Sequence, residues 1–362
     1  STGTTAFSST VAAASVTTNA GGTTTLGGNV TTTGNQIYND AISLTGNAVL
    51  NAPSISTASM ISAGTYNLTM TTDALSLGGN VSGTGALTIQ PKTNSTTIAI
   101  GSSATGTLSL NDTELGRLVD GFSSITIGST TGTGAMNINY SAASFTFADP
   151  LVIRSASGNI TAVDALKTDA NTLTLTTGGN ISLAGVNSGA LSVTGSAITL
   201  NNDITTSGSQ SYTGPVSLAN SVNLNSGSSG AVSFSSTVNS ANSTARDLNV
   251  IAGSGNVTFT GAVGNTYALG AIAIDSTGTT TFGSTVNAAS LTTNAGGTTS
   301  LGGNVTTTGA QTYNDAVVLT NPIIISADSL RIGAVTSGSS NSALTITALG
   351  EITLSGNITT TG

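Results

Sequence analysis

Apolar residues alternate with small polar residues in short stretches along the entire chain. A typical stretch has one hydroxyl residue between two aliphatic or aromatic residues, as in Leu173-Thr174-Leu175 and Val257-Thr258-Phe259. Alternation with a period of two puts both apolar side chains on the same face of a β-strand. Successive stretches begin about 6 to 11 residues apart and are separated by Gly, Asn and Ser, which favour turns. The pattern predicts an all-β chain of many short strands without helices.

The sequence also repeats itself over long distances. Residues 1–44 recur as residues 276–319 with 35 of 44 positions identical, and weaker copies cover residues 200–226 and 354–362. Neither a linker nor a shift in composition separates the copies, so we interpret residues 1–362 as one continuous segment. Both ends fall inside a repeat unit, which favours a segment of a longer repeat protein over a block that stacks on other copies.

A shorter unit lies within these copies. Coils of about 20–25 residues that hold two or three short strands are typical of a parallel β-helix, in which Val, Ile and Leu fill a narrow tube and Gly or Asn turns the corners. We therefore predict a right-handed parallel β-helix. The unit is marked by Gly-Asn followed by Val or Ile, with Asp203 in one variant, and several of the intervals are near one or two coils. These asparagines are Asn29, Asn80, Asn159, Asn180, Asn256, Asn304 and Asn357.

The composition excludes several functional classes. The chain has 6 Lys and Arg, 14 Asp and Glu, a net charge of −8, and no His, Cys or Trp. Without His or Cys there is no Ser-His-Asp or Cys-His nucleophile, no thiolate or imidazole metal site and no disulfide, and we expect no cofactor. Six scattered basic residues give no footprint for nucleic acid, and no apolar run is long enough to insert into a membrane. A disordered linker is excluded by the mean hydropathy of +0.25.

Two clusters of charged residues are candidates for catalysis. One comprises Asp112, Glu114 and Asp120 with Arg117, and the other Asp164, Lys167 and Asp169. A polysaccharide lyase or glycoside hydrolase needs two carboxyl groups that face each other across an outer groove, within about 10 Å. Because the first cluster lies along one loop with few aromatic residues, a solvated loop is the simpler interpretation, and the enzyme is the alternative hypothesis.

Calcium and ice are two further candidate ligands. The Gly-Gly pairs are followed by Asn or Thr rather than by the spaced Asp of calcium-binding nonapeptides, so we expect no metal site. Thr runs occur at 31–33, 172–176 and 306–308, but an ice-binding face needs Thr at one fixed position of every coil. The runs fall on different parts of the unit, so an ice-binding solenoid is a second alternative.

Tyrosine occupies equivalent places in three repeats. An Asn-Asp pair follows two of these tyrosines, and the stretch is a candidate for a contact strip that is repeated on the surface. The other interpretation is an aromatic ring that covers the edge of a coil beside an Asn-Asp turn. The residues of this strip are Tyr38, Asn39, Asp40, Tyr212, Tyr313, Asn314 and Asp315.

The Gly/Thr/Asn-rich coils resemble a known family. The GNV-T-TG coils, the QxYND-A-x-L stretch and the GSGNVTFTGAVG segment are similar to the repeat region of filamentous-haemagglutinin-type exoproteins, which are bacterial two-partner-secretion adhesins, and to autotransporter passengers. The resemblance covers the whole chain and implies a right-handed parallel β-helix that is exported to the cell surface. The chain lacks the Asn-Pro-Asn signature of the secretion domain, to which residues 321–323 come nearest, and it lacks an RGD tripeptide.

The sequence therefore leads to one main expectation about function. We expect a structural, adhesive, extracellular β-helical segment of a bacterial surface adhesin or filament, which acts in cell attachment or biofilm and is not an enzyme. Its expected partners are other copies of itself, neighbouring segments of a longer chain, or a cell-surface or polysaccharide receptor.

Overall fold

The structure is a computed structural model that describes residues 3–141, 145–339 and 341–361. Half of the chain is β-strand and about 1% is helix. The contacts divide it into two compact units, Ser1–Asn180 and Ile181–Gly362, which are described separately. Residues 1, 2 and 362, which belong to the predicted first and last repeat copies, lie outside the described residues. The prediction of one continuous segment stays a prediction.

The elements of the first unit, in chain order, are β1 (Thr4–Phe7), β2 (Val11–Ala13), β3 (Val16–Thr18), β4 (Thr23–Leu26), β5 (Val30–Thr32), β6 (Gln36–Tyr38), β7 (Ala41–Leu44), β8 (Ala48–Asn51), β9 (Ser54–Thr57), β10 (Ile61–Gly64), β11 (Leu68–Thr71), β12 (Ala74–Leu77), β13 (Val81–Gly83), β14 (Ala86–Gln90), β15 (Ile98–Ile100), β16 (Leu108–Leu110), α1 (Asp112–Leu115), β17 (Ser124–Gly128), β18 (Met136–Ile138), β19 (Leu151–Arg154), β20 (Ile160–Ala162), β21 (Leu166–Lys167) and β22 (Leu173–Thr176).

Strand β23 (Asn180–Leu183) begins at the last residue of the first unit. The strands that follow are β24 (Val186–Ser188), β25 (Leu191–Thr194), β26 (Ala197–Leu200), β27 (Ile204–Thr206), β28 (Gln210–Thr213), β29 (Val216–Leu218), β30 (Val222–Asn225), β31 (Val232–Phe234), β32 (Val238–Ser240), β33 (Leu248–Gly253), β34 (Val257–Phe259), β35 (Leu269–Ser276), β36 (Thr279–Phe282), β37 (Val286–Thr293), β38 (Thr298–Leu301), β39 (Val305–Thr307), β40 (Gln311–Tyr313), β41 (Ala316–Leu319), β42 (Ile323–Ala327), β43 (Leu330–Ile332), β44 (Val335–Ser337), β45 (Leu344–Ala348), β46 (Ile352–Leu354) and β47 (Ile358–Thr359).

These strands form a parallel β-solenoid, with about 18 turns in all, as predicted. Each of the first four turns of the first unit contributes one strand to each of three parallel sheets, which we call sheets A, B and C. Sheet A consists of β1, β4, β7, β10 and β13, sheet B of β2, β5, β8, β11, β14, β17, β19 and β22, and sheet C of β3, β6, β9 and β12. In the second unit, sheet E consists of β25, β28, β31, β34, β36, β38, β41, β44 and β47, and sheet G of β24, β27, β30, β33, β35, β40, β43 and β46 with the second half of β37.

The turns differ in length more than the sequence suggested. Thr23 pairs with Ala41 of the next turn, whereas Val232 pairs with Val257 of the next turn, which is a clearly longer interval along the chain. The shortest turns are therefore shorter than the predicted coil of about 20–25 residues. The extra residues of the longer turns lie in the corners, so the strands themselves stay aligned from turn to turn.

The core is a column of apolar side chains inside each turn. On the inner face of sheet E four aromatic rings stack, each on the ring of the next turn: Tyr212 on Phe234, Phe234 on Phe259, and Phe259 on Phe282. Their ring centroids are 5.0, 4.9 and 5.1 Å apart, and their planes are within 10° of parallel. The step follows the spacing of hydrogen-bonded strands, about 4.8 Å.

One turn of the first unit carries a long excursion. Leu87 pairs with Ile125, and the stretch between them, far longer than an ordinary turn, holds β15, β16 and the short helix α1. The prediction that the chain has no helix is wrong at this point. The helix forms because Asn111 and Glu114 make a reciprocal capping box and Leu115 is buried.

Candidate functional site

The three repeated tyrosines lie inside the solenoid. The side chains of Tyr38, Tyr212 and Tyr313 are at most 1% exposed, and burial raises the pKa of each hydroxyl above its ordinary value. Asp40 and Asp315 are also buried, each 2% exposed. This burial corrects the interpretation of these five residues as a surface contact strip, because no partner can reach them from outside.

Each tyrosine belongs to a buried polar network whose glutamine the sequence reasoning missed. The hydroxyl of Tyr212 donates to Gln210 Oε1 at 2.9 Å. Gln210 Nε2 in turn donates to the carbonyl of Asn225 in the following turn at 2.9 Å, to Thr206 Oγ1 at 3.2 Å and to the carbonyl of Ile204 at 3.4 Å. The same network forms around Gln36 with Tyr38 and around Gln311 with Tyr313. It ties each of these turns to the next.

The two buried aspartates hold the preceding stretch of backbone. Asp315 Oδ1 accepts from the Gly297 amide at 2.8 Å, and its Oδ2 accepts from Thr299 Oγ1 at 3.1 Å. Burial raises the pKa of Asp315, although these two hydrogen bonds act in the opposite direction. Asp40 makes the equivalent bond to the Gly22 amide, at 2.9 Å.

The asparagines of the predicted strip point outward. Asn39 is half-buried and Asn314 is exposed, and each donates from Nδ2 to a carbonyl of the preceding turn, that of Thr18 at 2.7 Å and that of Thr293 at 2.9 Å. Contact of these two residues with a partner stays a prediction.

The carboxylates of the first charged cluster are mostly occupied by backbone amides. Buried Glu114 accepts from the Leu77 amide at the end of β12 at 3.1 Å and caps its own helix. Asp112 accepts from the amides of Ser102 and Ser141 at 2.8 and 2.9 Å. Burial favours a higher pKa for Asp112, but hydrogen bonds from Ser141 and Ser102 outweigh it and hold the pKa below its ordinary value. These side chains anchor the excursion to the solenoid.

Asp120, the remaining carboxylate of this cluster, lies beside Asp149, which the sequence reasoning did not single out. Asp149 is 3% exposed; its Oδ1 accepts from the Gly121 amide at 2.9 Å, and its Oδ2 has no partner among the described residues. Burial raises the pKa of Asp149, and the neighbouring Asp120 raises it further. Asp120 is exposed. The hypothesis of a polysaccharide-cleaving enzyme would have to be tested at this pair of carboxyl groups.

In the second predicted cluster, Asp164 is again bound to the backbone. Its Oδ2 accepts from the Tyr140 amide at 2.7 Å. Lys167 lies on β21, and Asp169 adopts a positive φ of 49° in the turn that follows. The structure therefore spreads this cluster over a strand end and a turn.

The Asn of the Gly-Asn motif connects successive turns. Asn29 Oδ1 accepts from the Val49 amide at 3.0 Å, and Asn304 Oδ1 accepts from the Ile324 amide at 2.9 Å. The variant Asp203 bonds in the same way to the Asn223 amide, at 2.8 Å. The motif thus marks a structural corner.

The outer face of sheet E in the second unit carries aligned hydroxyl groups. One column has Ser or Thr in six successive turns. Strand register places its members opposite one another: Ser192, Ser211, Ser233, Thr258, Thr281 and Ser300. A second column, two residues further along the strands, contains Thr194, Thr213, Ser235 and Thr260. We call these ten residues the hydroxyl face.

The Thr runs that the sequence highlighted do not build this face. Thr31 points outward from sheet B of the first unit, and Thr306 lies on β39, which is outside sheet E. The signal for the aligned columns is instead the polar residue between two inward residues, as in Leu191-Ser192-Val193 and Val232-Ser233-Phe234.

Among residues 3–141, 145–339 and 341–361, no three Asp, Glu, His or Cys side chains are placed to hold a metal ion, and no helix is long and apolar enough to cross a membrane. A comparison with protein-family models found no match, and comparisons with curated proteins and with solved structures found none either.

Proposed function

We propose that this chain is a structural and adhesive β-helical segment of an extracellular protein on a bacterial surface. In this proposal the solenoid supplies length and stiffness, and its outer faces supply contact surfaces. The parallel β-solenoid is compatible with this role, and the resemblance of the coils to adhesin repeats points in the same direction.

The observation that carries the proposal is that the carboxylates of the candidate sites bind backbone amides. Asp40, Asp112, Glu114, Asp164 and Asp315 each accept at least one backbone amide hydrogen bond. A carboxylate engaged in this way stabilises the turns and corners of the fold. Selection for a regular solenoid explains this arrangement better than selection for a reaction does.

The proposal is tested in the bacterium that produces the protein. An in-frame deletion of the segment is compared with the wild type for attachment to surfaces, for biofilm mass and for thin surface fibres in electron micrographs. Protease added to intact cells should digest the segment. Full protection from protease, or unchanged attachment of the deletion strain, would refute the proposal.

A further inference from the structure

The hydroxyl face is regular enough to repeat one contact many times. Hydrogen-bonded strands lie about 4.8 Å apart, so the six members of the first column span about 24 Å along the stack. Ser233 Oγ donates to the Gln210 carbonyl at the long distance of 3.5 Å. The other five hydroxyls of the column make no hydrogen bond within the described part of the chain. Ser192 is exposed and the other members of the column are half-buried, so the hydroxyls that lack an internal partner can bond to an external molecule.

The face carries no charge, although the unit around it does. The second unit has a net charge of −4, and none of its charged residues lies on a strand of sheet E. These eight residues are Asp203, Asp247, Asp275, Asp315, Asp328, Glu351, Arg246 and Arg331. An anionic partner would find no cation on this face. A hydroxyl both donates and accepts, so the matching partner is itself rich in hydroxyl groups.

Other outer faces lack this regularity. On sheet G the corresponding column mixes amide, aliphatic, hydroxyl and charged residues: Asn223, Asn249, Ala273, Thr292, Thr312, Arg331 and Thr353. On sheet B of the first unit, Val152 interrupts a Thr column, and Arg154 lies two residues further on. In sheet E the uncharged hydroxyl column runs through six successive turns from Ser192 to Ser300, and Val318 ends it in the next turn.

We propose that the hydroxyl face binds a linear, uncharged polysaccharide. A polymer of identical sugars presents hydroxyl groups at a constant step, and the columns present hydroxyl groups at a constant step as well. Each contact is weak, but contacts along one polymer act together and raise the overall affinity. The inference rests on the proposed adhesive function and names the class of partner for it. A second copy of the chain is the less suitable occupant, because both copies carry the same net negative charge.

The test compares two triple variants of the full chain. Thr258→Val, Thr281→Val and Ser300→Ala remove three successive hydroxyls from the face at nearly constant size. The matched control removes three outward hydroxyls from other strands through Thr292→Val, Thr312→Val and Ser217→Ala. Circular dichroism and melting curves verify that both variants keep the fold.

Binding is measured by co-sedimentation with cellulose and with curdlan, which are uncharged, and with insoluble pectate, which is anionic. We expect the wild type and the control to bind at least one uncharged polymer, and the face variant to bind at least tenfold more weakly, since each hydrogen bond contributes about threefold. Absence of binding to both uncharged polymers, equal binding by the two variants, or stronger binding to pectate would overturn the proposal.

Two further measurements separate other occupants of the face. Thermal hysteresis that only the face variant loses would assign the face to ice, and concentration-dependent dimers that only the face variant loses would assign it to a second copy. Either result without polysaccharide binding overturns the proposal. The two proposals can be refuted separately. If deletion of the segment abolishes attachment of the cells while the purified chain binds no polysaccharide, polysaccharide binding by the hydroxyl face is refuted and the adhesive function stands.

Discussion

The buried network around Gln210 should contribute strongly to stability, and Gln210→Leu tests this directly. Leucine has nearly the volume of glutamine, so the substitution removes the hydrogen bonds without opening a large cavity. It strands the hydroxyl of Tyr212 and the carbonyl of Asn225, both of which bond to Gln210 at 2.9 Å. An unsatisfied buried group costs about 1–3 kcal/mol, so we expect Gln210→Leu to lower the free energy of unfolding by about 3 kcal/mol.

A second substitution distinguishes hydrogen bonding from packing. Tyr212→Phe keeps the ring that stacks on Phe234 and removes the hydroxyl alone, at an expected cost of about 1 kcal/mol. In the double variant the stranded hydroxyl of Tyr212 is absent. The double variant should therefore lose less free energy of unfolding than the two single variants together, by about 1–2 kcal/mol.

Urea denaturation followed by circular dichroism measures these free energies, and hydrogen exchange at the turns around Gln210 detects local opening, since repeat proteins open locally. Gln90→Leu is the matched control, because Gln90 is half-buried and its Nε2 bonds only to Thr71 Oγ1, at 3.0 Å, within the described part of the chain. Equal losses for Gln210→Leu and Gln90→Leu, or strictly additive losses in the double variant, would refute the reasoning.

Other substitutions probe the core, a corner and one titrating group. Phe259→Ala should cost about 3–5 kcal/mol in urea denaturation, because it opens a cavity within the aromatic stack, whereas Phe259→Leu should cost much less. Leu218→Asp should abolish folding as judged by circular dichroism, because Leu218 is fully buried, while Thr32→Ser should change the melting temperature little, because it keeps the hydroxyl that bonds to the Gly34 carbonyl. Burial raises the pKa of Asp315 above its ordinary 3.8, so the folded state binds the carboxyl proton more tightly than the unfolded state does. The free energy of unfolding should therefore fall as the pH rises from 3.8 through the raised pKa. Asp315→Asn should remove this part of the pH dependence of the melting temperature. A larger loss for Phe259→Leu than for Phe259→Ala, a folded Leu218→Asp protein or an unchanged pH profile for Asp315→Asn would each contradict its prediction.

The alternation of apolar and polar residues was enough to predict the strands and the solenoid, because burial inside a narrow tube imposes a period of two. It was not enough to orient every strand. In Gln36-Ile37-Tyr38 the most apolar residue, Ile37, points outward and is 37% exposed, while Gln36 is completely buried. The inward choice depends on the hydrogen bonds that Gln36 finds only after the turns have stacked. A comparison of the copies contains the signal, since Ile37 is replaced by Ser211 and Thr312 in the other two.

The aligned hydroxyl columns could not be predicted from the sequence either, because the length of the coils is irregular. Ser211 follows Ser192 in the chain more closely than Thr258 follows Ser233, although each pair occupies neighbouring turns of the first column, so no fixed period in the sequence connects its members. The register survives because a parallel ladder fixes each strand against the strand before it, while the corners absorb the additional residues. For a solenoid of this kind, alignment of surface residues therefore follows from their position within the strand relative to the buried pair. It does not follow from their distance along the chain, which is why hydroxyls at unequal intervals can still present one regular surface.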